Sequence, residues 1–174
     1  MFSAMRDYGA NPGRGGHRLA VKAAMEVYAA REQLAAMFGA LPENVVFTKN
    51  ATEALNIAIK GAAKENSHIV ISGMEHNSVY RAVAALSKKG ITHSVAQVFT
   101  DDGNRTVKSF EKEITEKTSA VVCTAASNVC GLLMPIDKIG AMCRKRKITF
   151  IVDAAQTAGI FPLWMPKVKA NIVC

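Results

Sequence analysis

Short apolar runs alternate with segments whose apolar positions recur every three or four residues, and this rhythm fills most of the chain. "VVFT" at 45–48 predicts a strand, followed by a helical pattern from Ala51 to Lys64. "IVIS" at 69–72 predicts a second strand. The helix expected from Ser78 to Lys89 sets Val79, Val83 and Leu86 on one face, with Gly90 as its stop. "ITHSVAQV" at 91–98 alternates as a half-buried strand does. A helix near Ser109 to Glu116, the strand run "SAVVCTA" at 119–125, a helix opened by Pro135 and a strand over Ile148 to Val152 follow. Ahead of them, His17 to Phe38 reads as a longer amphipathic helix closed by Gly39.

Strands separated by single helices need crossover connections, which predicts a mostly parallel sheet. Continuous apolar strands suit a sheet with helices on both faces. The expected class is therefore α/β, with one layered structure over residues 1–174 and no repeat or linker. "ANIVC" at 170–174 reads as the opening of another buried strand at which the chain stops. An unpaired strand edge is a liability, so the expectation is a partial domain.

Composition narrows the class. The 174 residues are 49% hydrophobic and 21% charged, ordinary for a soluble globular protein. No apolar run nears the roughly 18 residues of a membrane span, and "MFSAMRDYGANPGRGG" lacks a signal-peptide core. The expectation is a cytoplasmic protein without a membrane partner. The net charge of +8 raises the possibility of nucleic-acid binding. Its only tight basic cluster, "RKRK" at 144–147, closes a helical pattern, where cations suit the helix C-terminus. A basic nucleic-acid module explains the charge and nothing else, and no nucleic-acid partner is expected. The four cysteines form no CxxC pair and no zinc rhythm, so no metal is expected; Cys123 belongs in the core.

In an open parallel sheet, ligands gather beyond the carboxyl ends of the strands. After the first predicted strand, "TKNATEALN" offers Asn50 as a helix cap with Glu53 three residues on. The first helical N–H groups, at Ala51 and Thr52, and the Thr52 hydroxyl then make an anion site. After the second strand comes His76, after "SAVVCTA" comes Asn128, and after the last full strand come Asp153 and Gln156. Alone, these are a plain cap, a surface-loop residue, a turn former and another cap. Together they fall on one edge of the sheet. A phosphate cradle, a flat ring, amide donors and a buried acid suit pyridoxal 5′-phosphate (PLP), whose ring nitrogen must stay protonated to act as an electron sink.

With "YGANPGRGGH", "VVFTKNATEALN", "EHNSV", "SNVCGLLMPI" and "VDAAQTAG" in this order, the sequence resembles the class V aminotransferase and cysteine desulfurase family of fold-type-I PLP enzymes. The resemblance implies that Ala51 and Thr52 bind the cofactor phosphate and that His76 stacks on the ring, with possible proton transfer. It implies that Asn128 and Gln156 contact the phenolate oxygen and that Asp153 holds the ring nitrogen. Asn11 and His17 fall in the segment resembling the family's substrate entrance. An amino-acid substrate, L-cysteine in a desulfurase, and a homodimer are implied for the intact protein.

The departures lie downstream. The family's Schiff-base lysine follows "VDAAQ" in a Gly-His-Lys-like motif that does not occur here, and the small C-terminal domain is expected to be absent. Lys167 and Lys169 in "MPKVKAN" read as a solvated connection, and no cysteine matches the family's sulfur acceptor. The chain alone is therefore expected to turn over negligibly. The alternative is a truncated non-catalytic product or a half-site completed by a partner chain. Desulfurase, selenocysteine lyase and other class V reactions stay open.

Overall fold

The computed structural model describes residues 1–13 and 15–174 and separates into two units, Met1–Phe47 and Thr48–Cys174. The first unit holds α1 (Phe2–Tyr8), unforeseen from the pattern, and α2 (Arg18–Phe38). His17 Nδ1 accepts the Ala20 N–H at the start of α2. Gly39 closes it at φ 71°, a left-handed conformation that costs glycine little.

The predicted strand at 45–48 does not form. Val45 is extended, but no strand among the described residues pairs with the segment, and Val46 and Phe47 are 73% and 50% exposed. β-branched and aromatic residues favour a strand only where a neighbour completes the ladder.

The second unit runs α3 (Ala51–Ala62), β1 (His68–Ser72), α4 (Asn77–Ser87), β2 (Thr92–Ala96), α5 (Gly103–Glu113), β3 (Thr118–Thr124), α6 (Ile136–Arg146), β4 (Thr149–Asp153), α7 (Met165–Val168) and β5 (Ile172–Val173). The strands are all parallel, in the order β2-β1-β3-β4-β5. Leu55 and Ile59 of α3 and Val79, Val83 and Leu86 of α4 pack on Ile69, Ile71, Ala120, Val122 and Ile151. Side chains alternate along a strand, so Val70, Val121 and Phe150 point to the other face, which α5 and α6 cover. The expected α/β sheet with helices on both faces is present, and it occupies the second unit.

The helix expected at 109–116 starts earlier, at Gly103. Asp102 Oδ1 accepts the N–H groups of Asn104 and Arg105 at 2.8 and 3.1 Å, and this cap fixes the start ahead of the first apolar position. The basic cluster closes α6 as expected, with Lys147 in the left-handed region at φ 56°.

Chain direction reverses between β1 and β3: β2 adds on one side of β1, and β3, β4 and β5 add on the other. That switch point opens a crevice at the carboxyl ends, where connections leave in opposite directions.

Candidate active site

Four chain segments converge on this crevice. Asn50, Ala51 and Thr52 come from the start of α3, and His76 and Ser78 from the turn after β1. Thr124, Ala126 and Asn128 leave β3, and Asp153, Ala155 and Gln156 leave β4. They line one cleft of about 220 Å³. Ala51, Thr52, His76, Asn128, Asp153 and Gln156, the residues expected from the sequence, are all among them. Asn11 and His17 lie in the first unit, where Asn11 Oδ1 accepts the Gly13 N–H at 2.9 Å and His17 caps α2.

The α3 start is a reciprocal cap. Asn50 Oδ1 accepts the Glu53 N–H at 2.9 Å, and Glu53 Oε2 accepts the Lys49 N–H at 2.7 Å. These bonds leave the Ala51 and Thr52 N–H groups unspent, at the positive end of the helix dipole and beside the cleft. That end suits an anion.

His76 is the N-cap of α4. Its Nδ1 accepts the Ser78 N–H at 3.2 Å and lies 2.9 Å from the Ser78 hydroxyl. An acceptor Nδ1 assigns the ring proton to Nε2 and leaves the imidazole one orientation beside the cleft. Ser78 was not singled out in the sequence; its place two residues after a cap is the signal that finds it.

Asp153 ends β4 and is 4% exposed. Among the described residues its carboxylate has one hydrogen-bond donor, the Ala155 N–H, 3.0 Å from Oδ1. Burial pushes its carboxyl above the ordinary range, against the Ala155 hydrogen bond and the nearby His76. The acid is held on the cleft wall without an adequate cation, so a ligand bringing one is favoured there. Asn128 and Gln156 are exposed on turns at the same rim, with Gly131 at φ 70° ending the first turn. Cys130, exposed on that turn, has its thiol below the usual range because of Ser127 and the Leu132 backbone.

Glu75 was also passed over. Its Oε1 accepts the Ser72 hydroxyl and the Thr124 N–H, the latter at 2.7 Å, while Oε2 is buried with no partner among the described residues. Burial, and then the charge of Asp153, push its carboxyl up to about 7 against those hydrogen bonds. A carboxylate just beyond a buried strand is the signal that picked out Asp153, and "EHNSV" carries it as well.

A helix start, a pinned imidazole and a buried acid thus meet around one switch-point cleft of an α/β sheet. The chain belongs to the class V aminotransferase family, whose model matches residues 2–174. It is 37% identical over 167 residues to the cysteine desulfurase IscS of Shewanella piezotolerans, covering 94% of this chain and 41% of that protein. It is 34% identical to the mitochondrial cysteine desulfurase of Drosophila melanogaster, covering 36% of it. Among solved structures, SspA in complex with cysteine superposes with a TM-score of 0.89 at 27% identity, covering 98% of this chain and 50% of that one. The apo cysteine desulfurase of Thermococcus onnurineus NA1 gives 0.84 at 28%, covering 99% and 44%. The chain thus spans less than half the length of these curated relatives. No helix among the described residues is long and apolar enough to cross a membrane.

Proposed function

We propose that the cleft is a PLP site and that the intact protein is a PLP-dependent enzyme of the cysteine desulfurase type, which transfers the sulfur of L-cysteine to an acceptor thiol as a persulfide and leaves L-alanine. The observation that carries this reading is the meeting of Ala51, Thr52, His76, Asn128, Asp153 and Gln156 around one cleft. Residues 1–174 are, on this reading, part of the cofactor-binding large domain of a cytoplasmic homodimer.

The donor set fits the cofactor. The unspent N–H groups and the Thr52 hydroxyl at the start of α3 match a phosphate dianion. The buried carboxyl of Asp153 lacks a cation, and a protonated pyridine nitrogen supplies one. When bound, PLP supplies the electron sink that lets a bond at or beyond the substrate Cα break.

On this reading Ala51 and Thr52 would bind the phosphate, Asp153 would keep the ring nitrogen protonated, and Asn128 and Gln156 would contact the phenolate oxygen. His76, its Nδ1 held by the Ser78 N–H, would stack on the ring and help to move a proton. Asn11 and His17 are proposed for the substrate entrance on the resemblance alone.

The test is product formation from L-cysteine and from L-selenocysteine by the PLP-loaded full-length protein of which, on this reading, residues 1–174 are a part; the 174 residues alone are expected to give negligible turnover. Alanine is expected from one or both, and His76→Ala is expected to slow its formation by about 100-fold, the usual range for lost acid–base help. Absence of alanine from both, with turnover of another amino acid, overturns the desulfurase reading.

A further inference from the structure

Glu75 stands where the sheet's two directions part. β1 ends at Ser72 and β3 at Thr124, and Glu75 Oε1 accepts from both, so one side chain ties together the two strand ends at the switch point. Thr124 is the ladder partner of Asp153, and the Ala125 N–H donates to the Asp153 carbonyl at 2.8 Å. The carboxyl of Glu75 therefore lies one strand across from that of Asp153, and His76 is the next residue along the chain. The other oxygen, Oε2, is buried and has no partner among the described residues. A buried carboxylate with half its acceptor capacity unused costs stability, and a purely structural tie between two strand ends does not need a charge.

We propose that Glu75 is a positioning residue of the cofactor site: Oε1 holds the ends of β1 and β3 so that His76 and Asp153 face the same ring, and the carboxylate's negative charge strengthens the site's hold on a cationic ring nitrogen. This rests on the PLP reading of the cleft. The groups facing Glu75 are few. Asp153 faces it from β4 and Cys123 from β3, and His76 neighbours it on the same turn. Burial and the charge of Glu75 push the Cys123 thiol up, and burial pushes Cys174, beside Asp153, up to about 12, so both thiols stay neutral. Near neutral pH the charge on this side of the cleft is set by Glu75 and Asp153 together, and a ring cation feels both.

Two substitutions separate the roles. Glu75→Gln keeps an acceptor oxygen for Ser72 and Thr124 but carries no charge; Glu75→Ala removes both. PLP is titrated into the protein from pH 5.5 to 8.5, with cofactor labelled with 15N at the ring so that its protonation is read directly. Glu75→Gln is expected to bind like wild type at the acid end and about tenfold more weakly at the alkaline end, its ring nitrogen losing its proton about one pH unit earlier. Glu75→Ala is expected to bind more weakly throughout. A Glu75→Gln protein that tracks wild type across the range, in affinity and in nitrogen signal, overturns the charge role. A Glu75→Ala protein with wild-type affinity overturns the positioning role. If Glu75→Ala does not fold, its failure gives positioning no support and the Glu75→Gln comparison decides the proposal. Asp153→Asn is the separate control: undiminished PLP binding there removes the cofactor reading itself, whatever Glu75 does.

Discussion

At the residue scale the site is a problem of buried charge. Asp153 and Glu75 are acids held above their ordinary range by burial, so each binds more protons in the folded chain than in the unfolded one. The sign follows: stability falls as pH rises, and for Glu75 the window runs from its ordinary 4.5 to about 7. Urea unfolding across this window should show wild type losing stability as pH rises and Glu75→Gln losing clearly less. Equal slopes contradict the burial account. A bound ring cation offsets the same cost at Asp153, so the rise in Tm on adding PLP should grow from acid to neutral pH. The Asp153 carboxylate was legible in the sequence because it follows a buried strand directly. Glu75 stands three residues past the buried run of β1, and the histidine beside it drew the reading instead. Ser78 is legible only once His76 is taken as the helix cap, since it stands two residues on and bonds His76 Nδ1.

At the element scale, helix starts do the positioning. Asn50 and Glu53 cap α3 reciprocally, and the sequence shows this cap because both residues sit at its characteristic spacing. Asn50→Ala should cost about 1 kcal/mol in chemical denaturation and also weaken PLP binding, since the phosphate would meet a frayed helix end. Unchanged affinity would detach the cap from the cradle. Gly140 on α6 shows the opposite constraint. A Cβ there would stand 1.9 Å from the Val168 carbonyl oxygen of α7 and 3.1 Å from the Phe150 ring. Gly140→Ala should therefore destabilise by about 1–3 kcal/mol, measured by urea unfolding, because backbone as well as side chain must shift. The missed elements have local causes. α5 starts in the polar stretch "DDGN", where the cap, not the apolar period, sets the boundary. The run at 45–48 has strand composition without a pairing partner among the described residues, and α1 is a short helix with no buried residue to give it a period.

At the scale of the whole molecule, the order β2-β1-β3-β4-β5 makes function possible. Adding strands first on one side of β1 and then on the other leaves a gap at the carboxyl ends, and Ala51, Thr52, His76, Asn128, Asp153 and Gln156 border it. This much was legible because alternating strands and helices dictate a parallel sheet, and a parallel sheet dictates which ends face the ligand. The position of the switch was not legible, because strand order depends on which apolar faces pack together. The central claim is that this gap holds PLP through a charge pair at Asp153. The most direct test is calorimetric titration of PLP into the wild-type protein and into Asp153→Asn at neutral pH. One site is expected in the wild type, with binding at least ~100-fold weaker in the variant, the scale of losing one partner of a buried ion pair. Equal affinity in the two proteins would contradict it.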